Sequence, residues 1–280
     1  MKASLHCGRT GSANHNDRSF DLALASHIDQ KLTGENLNYC IYGDISFSDA
    51  ELRFYKDNFS ESLNLQNERY KAERHPERVR NMEQVLHNRN KSPDETILQI
   101  GDMHCDIDAD VFANAVQDYI EWHNDRYGSN MVIIDASVHV DEASPHAHIR
   151  TAAWYVDSNG IKHLGQEKAL EQLGYNLPDE SKKTGRYNNR KIAYTVECRD
   201  KWYDIAESYG FVIDRMPNPK KPKHKDKKEY IREQKEELAK REKIIAAKER
   251  AAEKIVAEAE VKQKGAFDAL RMALKARNAA

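Results

Sequence analysis

The chain has 280 residues, of which 39% are hydrophobic and 32% charged, with a formal net charge of −2. That length allows one catalytic domain plus an extension, and no stretch approaches the apolar run a membrane helix needs. With no signal-peptide core, and with Cys7, Cys40, Cys105 and Cys198 scattered without a paired CxxC spacing, a cytoplasmic protein with reduced thiols is expected.

In chain order, residues 3–8 read as a first strand, leading through Gly8 and Gly11 to His15. Residues 19–30 have helical spacing, and residues 37–42 form a short strand carrying Tyr39. Residues 51–89 are charged and largely helical, interrupted near Pro76, with little apolar stripe. Residues 96–103 read as a strand and residues 109–127 as an amphipathic helix with Val111, Ala115, Val116, Tyr119, Ile120 and Trp122 on its apolar face. From 131 to 140 the residues alternate: Val132, Ile134, Ala136 and Val138 on one face, Asp135, Ser137 and His139 on the other, the period of a half-buried strand. A turn over 141–145 containing Pro145 follows, then a second strand over 146–156. A helix over 166–174, a polar loop over 175–190, a helix over 193–209 and a last strand over 210–214 complete the core. This order predicts an α+β fold, a central antiparallel sheet with helices packed on one side.

The stretch from His139 to His148 places three imidazoles and two carboxylates within ten residues. His146 and His148, two apart on a strand, point to one face. Pairing of the two strands as a hairpin brings His139 alongside, so that three ring nitrogens converge on one point. Three neutral imidazoles with open positions suit a divalent cation such as manganese, magnesium, zinc or nickel, with Mn2+ or Mg2+ the first choice. A closed structural zinc site would need a fourth ligand, often Cys, and none is near in sequence.

His139-x-Asp141-Glu142-x-x-Pro145-His146-x-His148 resembles the third motif of the MobV/Pre-type plasmid relaxases, within the nucleases that carry a histidine-hydrophobic-histidine metal motif. Ala147 stands at the intervening position, where a bulkier residue is common. His15-Asn16-Asp17-Arg18 resembles the first motif, His-Asn-x-Arg. Asn38-Tyr39-Cys40-Ile41 resembles the second, Asn-Tyr-Asp-Leu, with Cys40 and Ile41 replacing its last two residues. The resemblance covers residues 1–215. It implies a relaxase-like sandwich that nicks one strand of transfer-origin DNA by metal-dependent transesterification, keeps a covalent 5′-phosphate adduct and rejoins the strand.

The resemblance also implies His15 as the nucleophile, with Tyr39 the competing choice and Tyr42 behind it, and His139, His146 and His148 as the metal ligands. Glu142 is assigned to orient His15, Arg18 to hold a phosphate or the local loop, and Asp141 to solvent or the site's outer layer. The partners expected are plasmid origin-of-transfer DNA, both its single-stranded nick region and its inverted repeat, and the conjugation coupling machinery. Two other readings share parts of the pattern: a plasmid recombination or rolling-circle replication initiator protein, and a non-catalytic DNA-binding regulator with a degenerate site.

Charge is unevenly spread. Residues 215–280 hold 20 Lys+Arg against 11 Asp+Glu, leaving 24 against 35 in the remainder. An acidic core must bind phosphate through local patches, and Arg9, Arg18, Arg150, Lys182, Lys183, Arg186, Arg190 and Lys191 are the candidates. Pro217, Pro219, Pro222 and the run from Lys223 to Lys228 mark a linker, so three parts are expected: 1–215 catalytic, 216–228 basic linker, 229–280 helical tail. Ile231, Leu238, Ile245, Ala252 and Ala259 recur every seven residues, a pattern compatible with a coiled-coil homodimer or with a single solvated helix.

Overall fold

A computed structural model describes residues 1–8, 11–25, 27–101, 105 and 107–216, together with parts of the tail, of which 243–252 is the longest continuous piece. Residues 1–219 form one compact unit and residues 220–280 a second. The described tail residues from 243 to 252 are helical. Of the heptad positions, Ile245 and Ala252 are described and exposed, while Ile231, Leu238 and Ala259 lie outside the described residues.

The first unit is built on two long neighbouring strands, β4 (Met131–His139) and β5 (His146–Val156), paired antiparallel. β1 (Ala3–Gly8), β2 (Leu37–Cys40) and β3 (Asp94–Ile100) extend them to the order β1-β3-β5-β4-β2, and β6 (Lys162–Leu164) pairs the far end of β5. Every pairing is antiparallel.

Helices cover both faces, where the sequence predicted one. On the first face α4 (Ala109–Tyr127) and α6 (Lys191–Ser208), which follows the short α5 (Gln166–Gln172), bury Phe112, Val116, Tyr119, Ile120, Tyr194 and Trp202 against Leu98, Ala136, Ala147 and Ile149. Each such fully buried large side chain contributes roughly 1.5–3 kcal/mol by leaving water. α4 starts where the Asp108 carboxylate accepts from the backbone N–H groups of Asp110 and Val111, a cap that satisfies otherwise orphaned donors. On the second face α2 (Phe47–Ala72) and α3 (Met82–Leu86) pack Ala50, Phe54, Tyr55, Phe59, Met82 and Leu86 on Ile134, Ala152 and Trp154. The apolar stripe of α2 is therefore real: it is buried over Phe47–Phe59 and continues to the partly buried Leu63, starting four residues before the charged stretch in which little stripe was evident. The remainder of the helix is too polar to bury.

Strict alternation along β4 fails at one place. The register with β5 shifts between Ile133 and Asp135, a bulge that inserts one residue. Val132 and Ile134 consequently join the α2 face, while Ala136 and Val138 stay in the α4 core. The bulge leaves Asp135, Ser137 and His139 on the α2 face, in register with Arg150, His148 and His146.

Three further expectations change. The described residues of 19–30 hold a 3-10 turn, Leu22–Leu24, in place of a helix; Asp29 donates its N–H to the Asp141 carbonyl at 2.8 Å, so this segment is tied to the histidine turn. Residues 211–214 form no strand but exchange hydrogen bonds with Met1. β3 ends at Ile100, before Gly101 at φ 68°, and Met103 lies outside the described residues. A four-residue helix, α1 (Ala13–Asn16), and β6 were not predicted.

Candidate active site

At the end of the β4/β5 pair not covered by α2, His139 stands directly across from His146, and His148 lies two residues along the same face. Ring centroids are 5.3 Å apart for His139–His146, 4.8 Å for His139–His148 and 5.0 Å for His146–His148. The hairpin argument from sequence thus brings the three rings together.

Each ring has one nitrogen committed as a donor. His139 Nε2 donates to the Asn16 carbonyl at 2.8 Å, His146 Nδ1 to the Ser144 carbonyl at 2.9 Å, and His148 Nδ1 to Glu95 Oε1 at 3.2 Å. Carbonyl and carboxylate oxygens can only accept, so His139 Nδ1, His146 Nε2 and His148 Nε2 carry the lone pairs. The last two face each other at 3.1 Å, and His139 Nδ1 is buried without a hydrogen-bond partner. Facing lone pairs and an orphaned buried nitrogen are unfavourable alone, but they are what a cation needs. Two nitrogens at right angles, each about 2.1 Å from an ion, lie about 3.0 Å apart. Burial pushes the His139 pKa down to about 3 and lowers that of His146, the nearby His148 adding to the latter, so both favour the neutral ligand form.

His15, at the end of α1, closes one side of this cluster. Its ring centroid is 6.0 Å from that of His139 and 5.7 Å from that of His148, and its other face stacks on Phe20 at 5.6 Å. Two overlapping groups have ligand atoms within 4.8 Å of one another: His15 with His139 and His148, and His139 with Glu142 and His146. Glu142 Oε lies 3.8 Å from His139 Nδ1 and 4.0 Å from His146 Nε2, on the metal side of the cluster.

Arg18 holds the turn. It adopts φ 60°, a left-handed conformation that is costly for a residue with a Cβ. Its guanidinium donates to Asp141 at 2.6 Å and 3.0 Å and to Glu142 Oε1 at 2.8 Å, with another N–H 3.5 Å from His15 Nε2. Of its two expected uses, fastening the loop is the one in place. Asp141 is buried, contrary to a solvent-facing position, and accepts from Thr33 and Asn36 as well. Burial raises its carboxyl, but the hydrogen bonds from Arg18 and Asn36 outweigh that and hold it below the ordinary range. For Glu142, burial likewise raises the pKa, and His146 and Arg18 more than offset it; both carboxylates are ionised.

Tyr39 is elsewhere. It pairs with Ala136 on β2 and points to the α4 face, opposite the histidines. Burial raises its phenol pKa, and the hydroxyl bonds to Asn124. Tyr42 bonds to Asp57 instead, and burial with that carboxylate pushes its pKa up to about 12.

Residues that motif reading missed support the cluster from below. Glu95 on β3 accepts from both His148 and Asn16 Nδ2, and Asn16 in turn accepts from His139. Beneath them Arg150 donates to Glu51 at 2.7 Å, both side chains about 5% exposed or less. Asp135 sits beside this pair with no hydrogen-bond partner on either carboxylate oxygen; burial and the charge of Glu51 push it well above its usual range, toward the neutral form. Only the alternation of Thr96, Leu98 and Ile100 with Glu95, Ile97 and Gln99 could have flagged Glu95, and β3 carries no motif. Replacing Arg150 by alanine strands a buried Glu51, so a loss of about 3–5 kcal/mol of unfolding free energy is expected. The double change Arg150→Met, Glu51→Leu should recover most of it in urea titrations; no recovery would mean the pair does not account for the loss.

The cations predicted to meet phosphate are largely engaged within the protein. Arg190 pairs with Glu167 and Glu171, Lys191 with Asp94, and Lys182 with Asp179. Arg186 lies over Tyr187, and Arg9 is outside the described residues.

Fold and site together define an α+β protein with a buried, tautomer-fixed histidine cluster at one end of an antiparallel sheet. The model of the Mob_Pre family, described as plasmid recombination enzyme, matches residues 105–197. That stretch contains the whole His139–His148 motif, so the match supports the MobV/Pre-type resemblance of the sequence. No curated protein matches. Among solved structures the chain is similar to the Mn-bound MobM relaxase domain (MOBV; Mob_Pre) in complex with plasmid pMV158 oriT DNA of 22 nucleotides plus a 3′ thiophosphate. Identity is 16% and the TM-score 0.49, covering 83% of this chain and 98% of that one. The same domain bound to 22-nucleotide oriT DNA at pH 4.6 gives 16% identity and a TM-score of 0.48, covering 83% and 100%.

Proposed function

We propose that the chain is a plasmid mobilisation relaxase that nicks one strand of transfer-origin DNA and stays joined to its 5′ end. The observation that supports this reading is the clustering of the His139, His146 and His148 rings, with centroids 4.8–5.3 Å apart and one nitrogen of each bonded elsewhere, beside His15. The Mn-bound, oriT-bound MobM domains are consistent with it.

In this reading His139, His146 and His148 hold a divalent cation, manganese or magnesium, which when bound supplies positive charge to a phosphoryl oxygen. The neutral ring of His15 attacks phosphorus. A P–N bond forms, the P–O3′ bond breaks, and the oxygen leaves with the bonding pair and takes up a proton. Stacking on Phe20 fixes the plane of the His15 ring. Arg18, which can only donate, favours an unprotonated Nε2 on the ring it faces at 3.5 Å. Glu142, ionised and bridged to His15 through Arg18, helps orient that ring, and the ring's surplus proton passes to solvent, balancing the one the leaving oxygen takes up. Because the P–N bond retains the phosphodiester's energy, the freed 3′-hydroxyl can reverse the step and reseal the strand.

We assign residues 1–215 to catalysis, 216–228 to a basic linker and 229–280 to a helical tail that supports a homodimer or contacts the coupling machinery, and we place the protein in the cytoplasm. No described helix is long and apolar enough to cross a membrane, and Cys7, Cys40 and Cys198 form no disulfide. The test is incubation with a supercoiled plasmid carrying the DNA upstream of this gene, chosen by searching it for an inverted repeat. Relaxed circles with protein on the 5′ end are expected. Tight, origin-specific binding without nicking would favour the regulator reading instead.

A further inference from the structure

A second anionic site lies at the other end of β5. Between α2, the segment that follows it, α3 and β6 is a cavity of about 830 Å3. Four cations line it, Arg69, Arg78, Arg80 and Lys91, and no Asp or Glu is among its described lining residues. This is unexpected in a core with 24 Lys+Arg against 35 Asp+Glu. Arg69 and Arg78 are partly balanced by Glu73 and Glu77 at its margin. Arg80 and Lys91 are not: among the described residues their side chains donate only to backbone carbonyls, of Glu77 and Val79 and of Leu164. Burial and the neighbouring Lys168 lower the Lys91 pKa, as expected where cations are crowded without anions.

The cavity is also built. The Asn67 side chain, on α2, donates to the Arg80 carbonyl at 2.8 Å and accepts from its N–H at 3.0 Å, clamping the arginine-bearing segment against the helix. Aromatic faces border it: Tyr70, and Tyr155, which stacks on His163 at 5.2 Å and 20°. Backbone-directed cations interleaved with flat rings are the chemistry of nucleic-acid strand binding.

We propose that this groove takes the phosphate backbone of the DNA whose reacting phosphate lies at the histidine cluster, a proposal that rests on the nicking reading. Leu164, in the groove's lining, pairs with Trp154, which follows His148 by six residues on the same face of one strand, so the two places are about 20 Å apart. That distance lies within the span of the roughly 4–16 nucleotides that a single-strand groove tracks. One continuous strand can therefore engage both.

The test compares the full chain with the triple variant Arg78→Gln, Arg80→Gln, Lys91→Gln, using fluorescein-labelled dT30 and reading the salt dependence of binding by anisotropy. Each lost phosphate contact should reduce the slope of log K against log salt by about 0.7, hence about 2 in the triple variant, with affinity down about tenfold or more at low salt. Circular dichroism checks folding, and the double variant Arg78→Gln, Arg80→Gln, which keeps Lys91 and its bond to the Leu164 carbonyl, should lose about 1.4 of slope by the same rule. An unchanged slope overturns the proposal. So does displacement of dT30 by millimolar inorganic phosphate at constant ionic strength, which would mark a small-anion site. Adduct formation by the parent chain on its origin strand is scored separately: its absence sinks the nicking reading, while the slope on dT30 still decides the groove.

Discussion

His15→Ala is expected to abolish both nicking and covalent adduct on a supercoiled origin plasmid, a loss of about 10⁴-fold or more, while Tyr39→Phe retains both. The contrast rests on which face of the sheet each side chain occupies. His15 packs against His139 and His148, whereas Tyr39 is on the α4 face with its hydroxyl on Asn124. A phosphate held at the histidine cluster cannot be reached through the sheet. The His15 ring is only partly buried and its contacts with the cluster are ring edges, so alanine should leave stability within about 1 kcal/mol. Retention of adduct by the His15 variant would remove the nucleophile assignment. Loss in Tyr39→Phe at full stability would move it to Tyr39.

The second large effect concerns the metal. Excess EDTA should stop cleavage of the origin plasmid, and added Mn2+ should restore it. His148→Ala removes a lone pair that faces His146 Nε2 at 3.1 Å and also frees Glu95 from one of its two donors. Loss of a ligand should weaken metal binding by at least about 100-fold. Calorimetric titration of Mn2+ reads this directly, and Glu95→Gln should give a smaller loss, within about 10–100-fold, because the His148 tautomer is then held less firmly. Nicking unaffected by EDTA, or His148→Ala binding Mn2+ like the parent, would contradict the metal role.

What the sequence made legible is what depends on neighbours in the chain. His146 and His148 had to share a face because a strand repeats every two residues, and His139 had to meet them because five turn residues leave room only for a tight reversal. The apolar periodicity of residues 109–127 likewise predicted α4 to the residue. What remained hidden depends on contacts made across the fold. Glu95, 53 residues from His148, carries no local mark of its role. The bulge in β4 follows from fitting β4 to β5 while α2 covers one face, and periodicity alone has no term for it. Residues 19–30 have helical spacing, yet the bond from Asp29 to the Asp141 carbonyl and the Asp21 cap draw them into a wrap around the site. Asp141 read as facing solvent or lying in the site's outer layer, because the partners that place it in the outer layer, Arg18, Thr33 and Asn36, are more than 100 residues away.

The central claim is that a ring nitrogen of His15 becomes bonded to DNA phosphorus. The most direct measurement is mass spectrometry of the proteolysed adduct formed on an origin oligonucleotide, with digestion kept at neutral to alkaline pH because a P–N bond to imidazole is labile in acid. The account predicts a single DNA-bearing peptide in which fragmentation places the nucleotide mass on His15. The same mass on Tyr39, Tyr42 or any other residue would contradict it.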